Sequence, residues 1–268
     1  MTSTGEAIRF SDGAAYDRFM GVWSRQVGRA FLDWLTPAPD QRWLDVGCGN
    51  GAFTQLVAER CAPRALAGVD PSEAQLSFAR RHPALGAASF QLGDAMALPW
   101  EADGFEVAVM PLVIFFVPDP ARGVAEMARV VAATGTVAAY AWDMANGGFP
   151  YQAVRSALEE MGHSLPMPPS LEASRQEVLQ ELWAGCGLER IETRQIAAQR
   201  SFASFGELWS ILLGGPSAGQ ILATLTEDER QQLQERLRSH WQVQGEKPVT
   251  LTGRANAIRG TVPARQGG

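Results

Sequence analysis

Three acids, each closing an apolar run, are the residues of this chain best placed to do chemistry. Asp45 stands two residues ahead of the first of three glycines at alternate positions, in Leu44-Asp45-Val46-Gly47-Cys48-Gly49-Asn50-Gly51. A turn without side chains lets a ligand approach the main chain closely. The helix-like segment that follows, Ala52 to Arg60, offers unpaired N–H groups at its start. Asp70 closes the next run in Gly68-Val69-Asp70-Pro71-Ser72, and Asp94 the one after it in Leu92-Gly93-Asp94-Ala95. A carboxylate at the second position suits a ribose, because two acceptor oxygens meet two vicinal hydroxyls. One at the third can accept the exocyclic amine of adenine, and Asp45 sits where a cationic amino group would be bound. The three together describe a nucleoside carrying an amino-acid tail. A pyrophosphate fits less well, since an acid beside the glycine turn repels it. Gly47, Gly49 and Ala52 also match the G-x-G-x-x-A form of a dinucleotide site. A nicotinamide-dependent oxidoreductase therefore stays open as a rival, as does a protein that binds the nucleoside without catalysis.

The elements that must hold these acids follow from hydrophobic periodicity. Strands are predicted at Arg42–Val46, Ala65–Asp70, Ser89–Leu92, Phe105–Pro111 and Gly135–Ala141, with helical patterns between them. Ser72 and Gln75 have capping-box spacing, and Asp119-Pro120 is an acidic cap followed by proline in the first turn. This alternation implies an α/β fold with a doubly wound parallel sheet and ligands at the carboxyl ends of its strands. The second half reads as a helix at Glu177–Cys186, a strand at Glu189–Ile196, a mostly helical stretch Phe202–His240 and a long strand Val249–Val262. The expected organisation is one domain over 1–262. It comprises an N-terminal helical cap (1–40), a ligand-binding core (41–145) and a substrate-side half (146–262) with a helical insertion at about 202–247. A disordered tail is expected at 263–268.

Composition narrows the function classes. The 268 residues carry a net charge of −6, which argues against the basic face that nucleic-acid binding needs. Cys48, Cys61 and Cys186 have no metal-ligand spacing and are an odd number, so neither a metal site nor a disulfide framework is expected. No apolar run is long enough to span a bilayer, and Met1-Thr2-Ser3-Thr4-Gly5-Glu6 has no signal-peptide pattern. A cytoplasmic location is the expectation. The oligomeric state is not readable.

On these motifs the chain resembles the class I S-adenosylmethionine-dependent methyltransferases, in particular the group that includes ubiquinone- and menaquinone-biosynthesis C-methyltransferases. Asp45-Val46-Gly47-Cys48-Gly49-Asn50-Gly51 matches the first motif of that family, Asp70 its ribose-binding acid and Gly93-Asp94-Ala95 its adenine-binding motif. Val117-Pro118-Asp119-Pro120 and Glu126-Met127-Ala128-Arg129-Val130 match its fourth strand exit and following helix. The similarity covers roughly residues 14–145. It implies a Rossmann-like, seven-stranded sheet whose last strand is antiparallel. It implies S-adenosylmethionine as cofactor, S-adenosylhomocysteine as product, and Gly47, Cys48, Gly49, Pro71 and Ala95 around the cofactor. It further implies an N-terminal cap in which Tyr16 packs on the cofactor and Arg25 pairs with its carboxylate, and a backbone carbonyl near Met110 against its amino group.

A sulfonium methyl is already activated, so the protein mainly has to hold donor and acceptor in line and exclude water. If a base is needed, His163 is a weak candidate. In this superfamily, base and glutamine N-methylating enzymes have an Asn or Asp, two prolines and an aromatic at the fourth strand exit. Here Met110-Pro111-Leu112-Val113 stands instead, and no cysteine follows a proline as in cytosine-C5 methylation. Both departures favour a small-molecule acceptor. Trp23, Trp142, Phe149 and Phe202 are candidate walls of its pocket, which favours an aromatic or otherwise apolar substrate.

Overall fold

The glycine turn and its three acids sit on one edge of a seven-stranded sheet. The structure, a computed structural model, describes residues 17–215, 218–245 and 247–264. The strands are β1 (Arg42–Val46), β2 (Ala65–Asp70), β3 (Ser89–Leu92), β4 (Phe105–Pro111), β5 (Val131–Trp142), β6 (Glu189–Phe202) and β7 (Val249–Thr261). Their order across the sheet is β3-β2-β1-β4-β5-β7-β6. The first five are parallel to one another, while β7 runs antiparallel to both β5 and β6. Chain order reverses between β1 and β4, which is where an open α/β sheet leaves a crevice at its carboxyl edge.

Helices cover both faces, so the central strands are buried along most of their length rather than on alternate residues. Residues 43–46 of β1 and 107–111 of β4 are all buried. The helices are α1 (Val22–Leu35, entered through a π-turn at Asp17–Gly21), α2 (Ala52–Arg60), α3 (Glu73–Arg80), α4 (Pro120–Val130), α5 (Gln152–Glu160) and α6 (Gln176–Gly185). Local sequence sets their starts. The Ser72 hydroxyl accepts from the Gln75 N–H, and Asp119 accepts from the Arg122 N–H at 3.1 Å with Pro120 in the first turn.

Three boundaries differ from the periodicity. β5 begins at Val131, four residues before Gly135, because Val131 pairs with Phe105 ahead of a register shift that contains Thr134 at φ 65°. β6 continues past Ile196 to Phe202, which pairs with Val249. The insertion therefore starts later than Phe202: the Ser204 side chain accepts from the Glu207 N–H at 3.2 Å and opens α7 (Phe205–Leu213). It continues through α8 (Ala218–Thr224) and α9 (Glu227–His240), the latter opened by a capping box between Thr226 and Glu229. Residues 265–268 of the expected tail lie outside the described residues.

The cap is fastened by its aromatic face. Trp23, Val27, Phe31 and Leu32 of α1 are buried. The Trp23 indole donates to the Tyr151 hydroxyl at 3.0 Å, and that hydroxyl donates to the Phe19 carbonyl at 3.0 Å. Tyr151→Phe strands the Trp23 indole N–H in an apolar interior and leaves the Phe19 carbonyl only its 3.3 Å bond from the Arg200 guanidinium. The expected result is a loss of about 2 kcal/mol in urea unfolding, with an unchanged m-value. A loss below about 0.5 kcal/mol would mean that water reaches the gap and the network is no fastening.

Candidate functional site

The edge of β1 is built by backbone that only glycine can supply. Asp45 pairs with Gly68 of β2 and Val109 of β4, and the chain then turns so that the N–H groups of Gly47 and Cys48 both donate to the Val69 carbonyl, at 2.8 and 3.0 Å. Gly47 has φ 74°, and a Cβ there would lie 2.6 Å from a methyl of Val113. Gly49 has φ 53°, and a Cβ there would meet nothing within 4 Å. The first glycine is demanded by sterics, and the second leaves its backbone facing open space.

Asp70 holds this turn. One carboxylate oxygen accepts from the Gly49 N–H at 2.9 Å, the other from the Ser72 N–H at 2.9 Å. Burial pushes its pKa above the usual range, against the effect of those two bonds. Each oxygen still has a lone pair to give. Asp45 is nearly inaccessible, at 1% exposure. One of its oxygens accepts from the Thr54 hydroxyl at 2.6 Å, and the other is buried with no partner. Burial raises its pKa to about 7, the Thr54 bond opposing and the charge of Asp70 adding to the rise. The Cys48 thiol is pushed far up by burial and then by the charges of Asp45 and Asp70, so it stays protonated and is no nucleophile.

A nucleoside with a cationic amino-acid tail fits these groups. The orphaned Asp45 oxygen lacks a donor, the Asp70 carboxylate has spare acceptor capacity, and the space over Gly49 is open.

The other expected site residues fall as follows. Asp94 is exposed, with one oxygen accepting from the Met96 N–H at 2.8 Å, and its neighbour Gly93 donates to the Asp70 carbonyl at 3.2 Å. The third acid is thus tied to the second through backbone. Pro71 is exposed and Ala95 half-buried. Met110 is fully buried in β4, its side chain turned to the α4 side near Gly123. Arg25 is half-buried on α1. Tyr16 lies outside the described residues. Trp23 and Trp142 are buried edge-to-face with centroids 6.3 Å apart, and half-buried Phe149 meets Tyr151 at 5.9 Å. Phe202 is buried beneath the Arg200 guanidinium at 4.7 Å. His163 follows α5, and its Nε2 faces Glu229 at the start of α9 at 3.9 Å. Among the described residues no group of three His, Cys, Asp or Glu is placed to hold a metal, and no helix is long and apolar enough to cross a membrane.

Two contributors carry little sequence signal. Leu112 leaves β4 at φ 60°, a conformation that costs a branched side chain energy, with its N–H donating to the Tyr140 carbonyl at 2.7 Å. That strained step delivers Val113 onto Gly47. Thr54 was detectable only as a hydroxyl in the first turn of the helix that follows the glycines.

Comparison with known proteins agrees with this geometry. Residues 44–139 match the methyltransferase domain family. Nocamycin O-methyltransferase of Saccharothrix syringae is 31% identical over 133 residues, covering 46% of this chain and 48% of that protein. Ubiquinone biosynthesis O-methyltransferase of Hahella chejuensis is 36% identical over 108 residues, covering 37% and 42%. The chain thus spans about half the length of the curated relatives it matches. Among solved structures, phosphoethanolamine N-methyltransferase 2 of Haemonchus contortus, in complex with S-adenosyl-L-methionine, superposes with a TM-score of 0.58 at 18% identity, covering 93% of this chain and 56% of that one. At that identity the likeness concerns the fold alone.

Proposed function

Because the chain carries a class I S-adenosylmethionine-dependent methyltransferase domain, we propose that the whole protein transfers the methyl group of that cofactor to a small-molecule acceptor with an apolar or aromatic body. The buried, unpartnered oxygen of Asp45 beside the Asp70 carboxylate is the observation that carries this reading. Asp45 takes the cationic amino group, Asp70 the ribose hydroxyls, and Asp94 with Ala95 the adenine.

The bound sulfonium supplies an activated methyl group. The protein's share is to align it with the acceptor and keep water out. The cap fastened through Tyr151 and the segments leaving β4 and β5 are the elements suited to that task. We place the protein in the cytoplasm, where its three unpaired cysteines stay reduced, and without a nucleic-acid partner, on its net charge of −6.

Calorimetric titration with S-adenosylhomocysteine and, separately, with NAD tests the cofactor. Saturable binding of the first and none of the second is expected; the reverse would replace methyl transfer with hydride transfer. A mass-shift screen over phenols, quinones, amines and carboxylic acids then tests the reaction. A gain of one methylene unit on one acceptor class is expected, and its absence across all four would leave a nucleoside-binding protein.

A further inference from the structure

Arg155 is the cation most deeply buried among the described residues, at 7% exposure, and its acceptors are poor. It lies on the inward face of α5 with Val154 and Leu158. Its guanidinium carries five N–H donors. Against these the structure sets the Pro166 carbonyl at 3.5 Å, the Met167 sulfur at 2.6 Å and the Glu159 carboxylate at 3.6 Å. The first contact is at the outer limit of a hydrogen bond, the second is to a weak acceptor, and the third lacks hydrogen-bond geometry. Other arginines are served far better: Arg254 makes two bonds to Asp143, at 2.9 and 3.1 Å, and Arg42 takes Glu106 at 2.6 Å. A guanidinium taken from water and left half-paired is costly. Burial accordingly pulls the Arg155 pKa below its ordinary value.

Position gives this waste a use. The segment that roofs Arg155 runs on to Ser170, whose N–H donates to the Phe115 carbonyl at 3.1 Å and whose hydroxyl donates to the Val117 carbonyl at 2.7 Å. Phe115 and Val117 belong to the exit of β4, the same exit that lays Val113 over Gly47. The roof is thus sewn to the exit of β4 at the carboxyl edge of the sheet. Met167 in that roof is itself 50% exposed, so moving it aside uncovers the guanidinium at little cost in buried apolar area.

Resting on the methyltransferase reading above, we propose that Arg155 is the seat for a carboxylate on the methyl acceptor, with Met167 as its displaceable cover. The planar fork of a guanidinium matches a carboxylate in two parallel bonds. Glu159 alongside favours a monoanion over a dianionic phosphate, because the second charge would meet a like charge a few ångström away.

The test titrates a panel of aryl and alkyl carboxylates, each paired with its carboxamide, into protein saturated with S-adenosylhomocysteine. Phenyl phosphate is the dianionic control. The best carboxylate is expected to bind about 10- to 100-fold more tightly than its amide, the range for a hydrogen bond to a charged group. Arg155→Met, close in length and apolar, should erase that preference, and Met167→Ala should tighten carboxylate binding severalfold while leaving the amide unmoved. A merely structural arginine would produce neither change. Equal binding of acid and amide, retention of the preference in Arg155→Met, or a stronger response to phenyl phosphate overturns the proposal. Should Arg155→Met not fold, the Met167→Ala comparison decides alone. Binding of S-adenosylhomocysteine without any carboxylate defeats only this inference, whereas failure of S-adenosylhomocysteine itself to bind defeats the reading beneath it.

Discussion

Asp70→Ala should weaken S-adenosylhomocysteine binding by about 100-fold or more, the effect of losing two charge-assisted hydrogen bonds of about 1.5–3 kcal/mol each. The carboxylate acts twice. Outward, on the proposed function, its remaining lone pairs accept from a ribose diol. Inward, the same two oxygens hold the Gly49 and Ser72 N–H groups at 2.9 Å, joining the glycine turn to the start of α3. Alanine removes both functions, so thermal stability should fall as well, by about 1–3 kcal/mol for the stranded amides. Asp70→Asn separates them. An amide keeps one acceptor oxygen, so part of the turn survives, but the charge facing the ribose is gone. The expected order of calorimetric affinity is wild type, then Asn, then Ala. An Asp70→Ala variant that binds within threefold of wild type would remove this acid from the cofactor site.

The second large effect is pH dependence through Asp45. In the unfolded chain this carboxyl titrates near its ordinary value of 3.8; in the fold its pKa rises to about 7, chiefly through burial. Between those values the native state holds a proton that the unfolded chain has released. Asp45 therefore contributes fully to stability below about pH 4, and the contribution is lost as pH rises through about 7, on the order of 4 kcal/mol in all. Asp45→Asn carries no such titration and can keep the Thr54 bond at its carbonyl oxygen. Above pH 7.5 the variant should be more stable than wild type in urea unfolding, and the two should converge only as pH falls to about 4. Binding runs the other way. A cationic amino group requires the ionised acid, so wild-type affinity for S-adenosylhomocysteine should climb by up to about tenfold per pH unit from pH 5 to 7 and flatten above. The Asn variant should bind weakly at every pH. Parallel stability curves for the two proteins would show that burial does not raise the Asp45 pKa, and a wild-type affinity that ignores pH would show that Asp45 does not face the bound amino group. The pairing is physically coherent: a site that strains the apo fold at neutral pH is relieved when a cation arrives.

Much of the site was legible because its signals are local. Glycines at alternate positions after an apolar run, an acid before a proline and a serine cap each determine backbone within a few residues, and so the ends of β1 and β2 and the start of α4 stand where the sequence puts them. Asp45, Asp70 and Asp94 could be found as strand-end acids on the same grounds. The long strands were less legible. β5 starts early and β6 ends late because pairing with Phe105 and Val249 overrides a weak local pattern, and ladder partners distant in sequence leave no local mark.

What the chain alone determined, then, is the short parallel strands, the turn and the acids that flank it, since each depends on neighbours within one turn or strand. Tertiary structure decided everything that rests on who is left without a partner. It chose which Asp45 oxygen goes unbonded, forced Leu112 into a left-handed step that carries Val113 onto Gly47, and packed Trp23 and Trp142 edge to face in the interior. It also buried Arg155 under Pro166 and Met167 with almost nothing to hold. Desolvation is a property of the assembled interior, and no spacing of residues along the chain can encode it.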